Sequence, residues 1–286
     1  MTILVVGGSS QIGYFLLPRL CERGEPVLAL SRRPRPALAG VEWRVGQLPD
    51  AVPELTGLSA IISFGPLLGL AAWLERADLS HAPRVIATSS MSAQSKCDSA
   101  VPAERAVSQQ LRDGEAALAR VCERHGCAWT VLRPTLIYGA GIDKSLTPLA
   151  RRAMRTGLFP LPAGRGLRQP VHADDIAQAV LAALDRPAAA GQILPIGGGE
   201  RLPASEMFAR VRRSLPRATL LLPLPAWGLR LARHAVTRLR GPLTRLETDL
   251  IADNSALQQL LGVTPRPFRP DADCWRPHGD LGKSSS

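Results

Sequence analysis

Residues Ile3 through Gly13, ILVVGGSSQIG, constrain the fold of this chain more than any other segment. Residues 3–7 are a short apolar, β-branched run that stops at glycine, the pattern of a strand buried in a parallel sheet. Residues 11–22 then place Ile12, Phe15, Leu16 and Leu20 at helical spacing, and Gly24 marks the helix end. VLALS (27–31) reads as the next strand. Gly7, Gly8, Ser9, Ser10, Gln11, Ile12 and Gly13 therefore form a strand-to-helix turn. Glycines there let the backbone approach a pyrophosphate, which sits where free N–H groups and the helix dipole favour negative charge. A glycine cluster alone is weak. The flanking strand, helix and second strand make it specific, against the alternative of a purely structural turn.

The end of the second strand bears on which dinucleotide fits. An NAD-preferring site places Asp or Glu there to bind the ribose 2′-OH. This chain has Ser31, Arg32 and Arg33. Guanidinium groups grip a 2′-phosphate bidentately, so NADP(H) is the expected cofactor ahead of NAD. The alternative is that these arginines are a solvated turn.

Further strands are expected at 41–46, 60–64, 84–90, 129–134 and 192–197, with helices at about 104–125, 145–156 and 173–186. Strands alternating with helices imply an α/β, Rossmann-type, doubly wound parallel sheet. LFPLPAGRGLRQP (158–170) reads as a loop, and two or three helices with a Pro-rich tail close the chain. The expected domains are a cofactor domain, 1–135 plus 171–197, and a smaller C-terminal α/β substrate lobe, 136–170 plus 198–278. Residues 279–286 are expected to be disordered.

Composition narrows the classes. No apolar run approaches the length of a membrane span. MTILVVGG lacks the basic region of a signal peptide, so a cytoplasmic setting with reduced cysteines is expected. Cys122, His125 and Cys127 admit a metal reading, but no second ligand pair exists, and a helix end is preferred; no metal is expected. The net charge is +11, and ten arginines against three acids between Arg201 and Leu250 hold +7 of it. Nucleic-acid binding is disfavoured, because aromatics are only 4% and supply no stacking platform. On a helix expected at 227–240, Arg230, Arg233, His234, Arg238 and Arg240 share one side, either a solvated face or a surface for an anion or an anionic membrane. The oligomeric state is not legible.

The pieces VVGGSSQIG, TSS (88–90), GEAAL (114–118), LRPTLIYGAG (132–141), VHADDIAQAV (171–180), IGGGE (196–200) and DNSALQQLLGVTPRPF (253–268) resemble the short-chain dehydrogenase/reductase superfamily. The resemblance is specifically to the extended NAD-dependent epimerase/dehydratase branch and its atypical relatives. Where that family has a middle glycine, this chain has Ser10. Where it has GDL, whose Asp meets adenine, this chain has Gly46, Gln47 and Leu48, and the Gln carbonyl can accept the same bond. The resemblance also implies that Phe64, Gly65, Pro66, Ser89, Pro134 and Thr135 border the cofactor.

It further implies a Tyr-x-x-x-Lys pair on the long helix, the Tyr exchanging a proton and the Lys lowering its pKa. Anchored on Gly114 and Glu115, those positions fall on Val107 and Leu111, or, shifted by one, on Ser108 and Arg112. Neither frame supplies Tyr. Ser90 matches the family Ser/Thr that hydrogen-bonds substrate, or it caps a turn. Tyr138, past Arg133 and Pro134, is a second candidate proton donor, or a packed ring. His172, Asp174 and Asp175 are read as structural. The expected function is an atypical NADP(H)-dependent oxidoreductase or epimerase/dehydratase-like enzyme on a small, anionic or nucleotide-linked substrate. The alternative is a non-catalytic NADP(H)-binding sensor or structural subunit.

Overall fold

A computed structural model describes residues 1–162, 164, 166–224 and 248–276. These divide into two compact units, 1–134 with 174–196 and 253–264, and 135–173 with 197–252 and the remaining C-terminal residues. The chain begins in the first unit with β1 (Thr2–Val6), α1 (Gln11–Glu22), β2 (Val27–Ser31), β3 (Val41–Val45), β4 (Leu58–Ser63) and α2 (Leu67–Leu74). There follow β5 (Arg84–Thr88), α3 (Ser92–Ser95), α4 (Pro102–Arg124) and β6 (Trp129–Pro134). Next come β7 (Ile137–Tyr138), α5 (Leu146–Thr156), β8 (Leu158–Pro162), β9 (Leu167–Arg168) and β10 (Val171–His172) of the second unit. The chain returns with α6 (Ala173–Asp185) and β11 (Gln192–Ile196). It passes through β12 (Leu202–Pro203), α7 (Ala204–Arg213) and β13 (Leu220–Leu224) of the second unit and comes back with α8 (Ser255–Leu261).

The first unit is built on one parallel sheet of order β11-β6-β5-β4-β1-β2-β3. Its central strands are covered on both faces: every residue of β2 is buried, and so are Ile3–Val6 of β1 and all but Ser59 of β4. That burial explains the continuous apolar runs in the sequence. The two edge strands are marked chemically. In β3, Glu42, Arg44 and Val45 are exposed, and Pro195 of β11 occupies an edge where a missing N–H is tolerated. Strand order reverses at β1, between β4 and β2, which opens a cleft beyond the carboxyl ends of these strands. Among the described residues no helix is long and apolar enough to cross a membrane.

Two sequence expectations change. The segment 158–170 is not simply a loop: β8 pairs in parallel with β13, and β9 pairs with β12. Residues 253–264, expected in the substrate lobe, group with the first unit, because α8 packs on β11 and Gly262 abuts the Arg186 guanidinium. The helix expected at 227–240 and the tail 279–286 lie outside the described residues.

The second unit has its own core of Tyr138, Leu146, Phe159, Met207, Phe268 and Trp275. Buried Gln169 ties it together, its Oε1 accepting from the Ala252 N–H (2.8 Å) and its Nε2 donating to the Gly198 carbonyl (2.8 Å).

Candidate cofactor site

The turn between β1 and α1 is glycine-dependent for three separate reasons. Gly7 has φ +74°, a left-handed conformation. A Cβ on Gly8 would lie 3.1 Å from the Ala29 Cβ and 3.3 Å from the Trp43 ring. A Cβ on Gly13 would lie 2.1 Å from the Gly8 carbonyl oxygen, so α1 leaves the turn with no room for a side chain. Ser10 is the N-cap of α1: its Oγ accepts from the Gly13 N–H at 3.1 Å. The first-turn N–H groups of Gln11 and Ile12 point out of the helix end by ordinary helix geometry, which is the arrangement that attracts an anion.

A cavity of about 440 Å³ opens from this turn, lined by Gly7, Ser9, Ser10, Ser31, Arg32, Arg35, Gln47, Leu48, Phe64, Gly65 and Pro66 among others. Residues from four separate sequence segments thus meet at one place. Gln47 is held by reciprocal backbone hydrogen bonds with Ala51 at 2.8 and 2.9 Å. The Gly65 N–H donates to Ser63 Oγ at 3.2 Å, fixing the turn after β4. A second cavity of about 500 Å³ is lined by Ser9, Ser31, Arg32, Arg33 and Arg35, with no acidic side chain. Arg35 was missed from sequence, although it stands in the same Arg-Arg-Pro-Arg-Pro turn. Trp43, on which the Gly8 turn rests, was missed as well, because nothing local links it to a turn 35 residues earlier.

At the carboxyl ends of β5 and β6, the Ser89 N–H donates to the Leu132 carbonyl (2.8 Å) and the Met91 N–H to the Pro134 carbonyl (2.9 Å). Among the described residues, Ser89 Oγ and Gln11 Oε1 are buried without a hydrogen-bond partner, a cost that a bound polar group would remove. Ser90 Oγ accepts from the Ser92 N–H at 3.1 Å, the turn-capping geometry. On α4, Val107 is 41% exposed, and Ser108 is buried with its Oγ donating to the Ala93 carbonyl at 2.7 Å. Neither position carries a proton-transfer group free to act. Glu115 and Gly114 of the matched GEAAL segment serve packing. Glu115 accepts from Arg133 Nε at 2.8 Å and Nη2 at 2.5 Å, and a Cβ on Gly114 would lie 2.8 Å from the Leu67 Cβ of α2.

Thr135 begins the second unit, where its hydroxyl donates to the Gln169 carbonyl. Tyr138 is only 1% exposed in that unit's core, edge-on to His172 (5.0 Å between centroids) and Phe268 (4.8 Å). This is the packed-ring alternative. Tyr138→Ala is expected to cost about 3–5 kcal/mol of unfolding free energy, and Tyr138→Phe, which keeps the ring, much less, as read by denaturant titration. Asp174, in the first turn of α6, pairs with Arg19 at 2.7 Å. Cys122 is buried, and burial pushes its thiol up to about 12.

The model of the NAD dependent epimerase/dehydratase family matches residues 67–197. A UDP-glucose 4-epimerase of Vibrio cholerae is 27% identical over 138 residues, 47% of this chain and 41% of that protein, so the match takes in less than half of that relative. An NAD(P)H azoreductase of Xenophilus azovorans is 25% identical over 273 residues, 93% of this chain and 88% of that protein. The solved structure of MoeE5 in complex with UDP-glucuronic acid and NAD superposes with a TM-score of 0.74 at 19% identity, covering 97% of this chain and 98% of that one. Residues 67–197 are thus similar to the NAD dependent epimerase/dehydratase family, within a chain of Rossmann-type α/β fold.

Proposed function

We propose that the protein is an enzyme, a reductase that uses a nicotinamide dinucleotide, NADP(H) ahead of NAD(H), on a small-molecule acceptor in the cytoplasm. The observation that carries this reading is the glycine cradle opening into an arginine-lined cavity without acids. The residues fit the cofactor. The turn from Gly7 to Gly13 would hold the pyrophosphate, Gln47, Leu48 and Phe64–Pro66 the adenosine, and Ser31 with the arginines a 2′-phosphate. The bound nicotinamide supplies a hydride. Ser89, Ser90 and Pro134 would border the reacting end, with Ser90 Oγ offering its proton to the acceptor.

Reduction is favoured over epimerisation by the chemistry of α4. Oxidising a sugar hydroxyl needs a base that takes a proton as the hydride leaves. Val107, Ser108, Leu111 and Arg112 offer none. Arg112 donates to Gln109 Oε1 at 2.7 Å, and Ser108 is committed to Ala93. Reduction of an electron-poor acceptor can draw its proton from water. The near-full-length similarity to an azoreductase supports the same choice.

The test is a panel assay with NADPH. Azo, quinone and carbonyl acceptors are expected to be reduced, and UDP-glucose is expected not to be epimerised. Ser90→Ala is expected to lower turnover about three- to ten-fold with cofactor affinity unchanged, the worth of one hydrogen bond. Epimerisation of UDP-glucose with no acceptor reduced would overturn the reading. Intact cofactor binding with no turnover of any substrate would leave the non-catalytic sensor.

A further inference from the structure

We infer that the outer face of the sheet formed by β8 and β13, with the arginines around it, docks on an anionic lipid surface. The two strands read LFPLP and LLLPL and contain no polar side chain. Their parallel register sets Leu220 beside Leu158, Leu221 beside Phe159 and Leu222 beside Pro160. Side chains alternate along a strand, so Phe159, buried in the core of the second unit, marks the inner face. Leu158, Leu220 and Leu222 therefore stand on the outer face, and they are 45%, 73% and 48% exposed. A strand with one solvated face ordinarily places polar residues there. Leucine at each of these positions marks a surface that meets something apolar.

The setting of this face is cationic. Helix α5 carries Arg151, Arg152 and Arg155 and no acid, and the exposed Arg152 and Arg155 stand three residues apart on one side of it. Arg217 Nη1 donates to the Met154 carbonyl at 3.3 Å, which brings the turn before β13 against the last turn of α5. Arg212 holds that turn to α7 by donating to the Thr219 carbonyl at 2.7 and 3.1 Å. The Leu220 N–H donates to the Gly157 carbonyl at 2.8 Å, so the arginines adjoin the first residues of both strands. The carboxylate of α7, Glu206, is engaged by Arg210 at 3.0 Å and Arg213 at 2.7 Å. From Met207 to Leu246 the sequence has nine arginines and neither aspartate nor glutamate. Exposed leucines bordered by arginines suit a bilayer with anionic headgroups: the apolar side chains enter the acyl boundary while the guanidiniums stay among the phosphates. The area argues against a second copy of this chain. Two five-residue strands offer on the order of 150–200 Å², against about 800 Å² per partner in a standard protein interface.

The experiment is sedimentation of the intact protein with vesicles of phosphatidylcholine alone and of phosphatidylcholine mixed with phosphatidylglycerol. It is run at about 0.1 M and about 1 M salt, where the Debye length falls from about 10 Å to about 3 Å. At low salt, binding to the anionic vesicles is expected to exceed binding to the neutral ones by about ten-fold or more, and most of that margin is expected to vanish at high salt. Leu220→Ser with Leu222→Ser is expected to weaken anionic binding about ten-fold. Arg155→Glu with Arg217→Glu is expected to weaken it on the order of ten- to a hundred-fold, whereas Arg155→Lys with Arg217→Lys keeps it within about three-fold. Melting temperatures report the folding of each variant, and the lipid and salt comparisons on the unmodified protein decide the point even where a variant does not fold. No binding to anionic vesicles at low salt, or equal binding to both kinds, overturns the inference. Binding that survives both the serine and the glutamate changes overturns it as well. Self-association of the intact protein that the serine changes abolish, without vesicle binding, would make the face a contact between copies instead. A lowered melting temperature of the serine variant, again without vesicle binding, would mean that the chain following β13 covers these leucines.

Discussion

Gly13→Ala is expected to abolish useful dinucleotide binding while leaving a folded chain. The added methyl would sit 2.1 Å from the Gly8 carbonyl oxygen and 2.6 Å from its carbonyl carbon. Those are backbone atoms, so no side-chain rotation relieves the clash. Either α1 slides away from the turn or the turn opens. Both displace the N–H groups of Gln11 and Ile12 from the cradle. Overpacking of this kind costs about 1–3 kcal/mol of stability. Dinucleotide affinity is expected to fall on the order of a hundred-fold, equivalent to about 2.7 kcal/mol. Fluorescence titration with the reduced dinucleotide, set beside the melting temperature, separates the two effects. Affinity preserved within three-fold would mean that the cofactor is not held by this turn.

The second large effect is expected from the ion pair between α4 and β6. Glu115 and Arg133 are 3% and 13% exposed along their side chains and meet through two hydrogen bonds. Glu115→Ala leaves the guanidinium buried without a counter-charge, a change that typically costs 3–5 kcal/mol, roughly. Arg133→Met combined with Glu115→Leu removes both charges and is expected to recover most of that loss, because paired burial is itself expensive. Equilibrium denaturation of the two variants reads the difference. Arg133 immediately precedes Pro134, so a loosened pair is also expected to weaken cofactor binding. Equal destabilisation by the single and double changes would assign the cost to packing instead.

Much of the first unit was legible because its signals are local. Apart from the edge strand β3, the sheet strands are short, mainly apolar runs closed by glycine, proline or serine, and α1, α4 and α6 carry clean helical spacing. What was missed lacks that kind of signal. Leu67–Leu74, LLGLAAWL, has no polar side chain at any position, the exposed Leu68 and Ala72 included, so no 3.6-residue alternation marks it as a helix. β8 contains Pro160 and Pro162, which argue against a strand when read alone. Only its partner β13, about sixty residues later, makes the pairing visible. Asp253–Thr264 returns to the first unit through contacts with β11 and Arg186 that no periodicity encodes.

The site divides along the same line. The glycine turn, Ser31 and Arg32, singled out by residue type and spacing, and Gln47, singled out by the family resemblance, stand around one cavity. Arg35 needed the Ser31 hydroxyl in view, and Trp43 needed the neighbouring strand. Tyr138 shows the converse. A phenol beside a family motif invited a chemical role, whereas its ring fills the core of the second unit between His172 and Phe268.

The central claim is that the turn after β1 and the arginines after β2 form one dinucleotide site with a preference for a 2′-phosphate. Calorimetric titration of the intact protein with NADPH and with NADH tests it most directly. Saturable one-to-one binding of both is predicted, with NADPH tighter by about ten-fold or more, as one or two charge-assisted hydrogen bonds require. No saturable binding of either dinucleotide, or tighter binding of NADH, would contradict it.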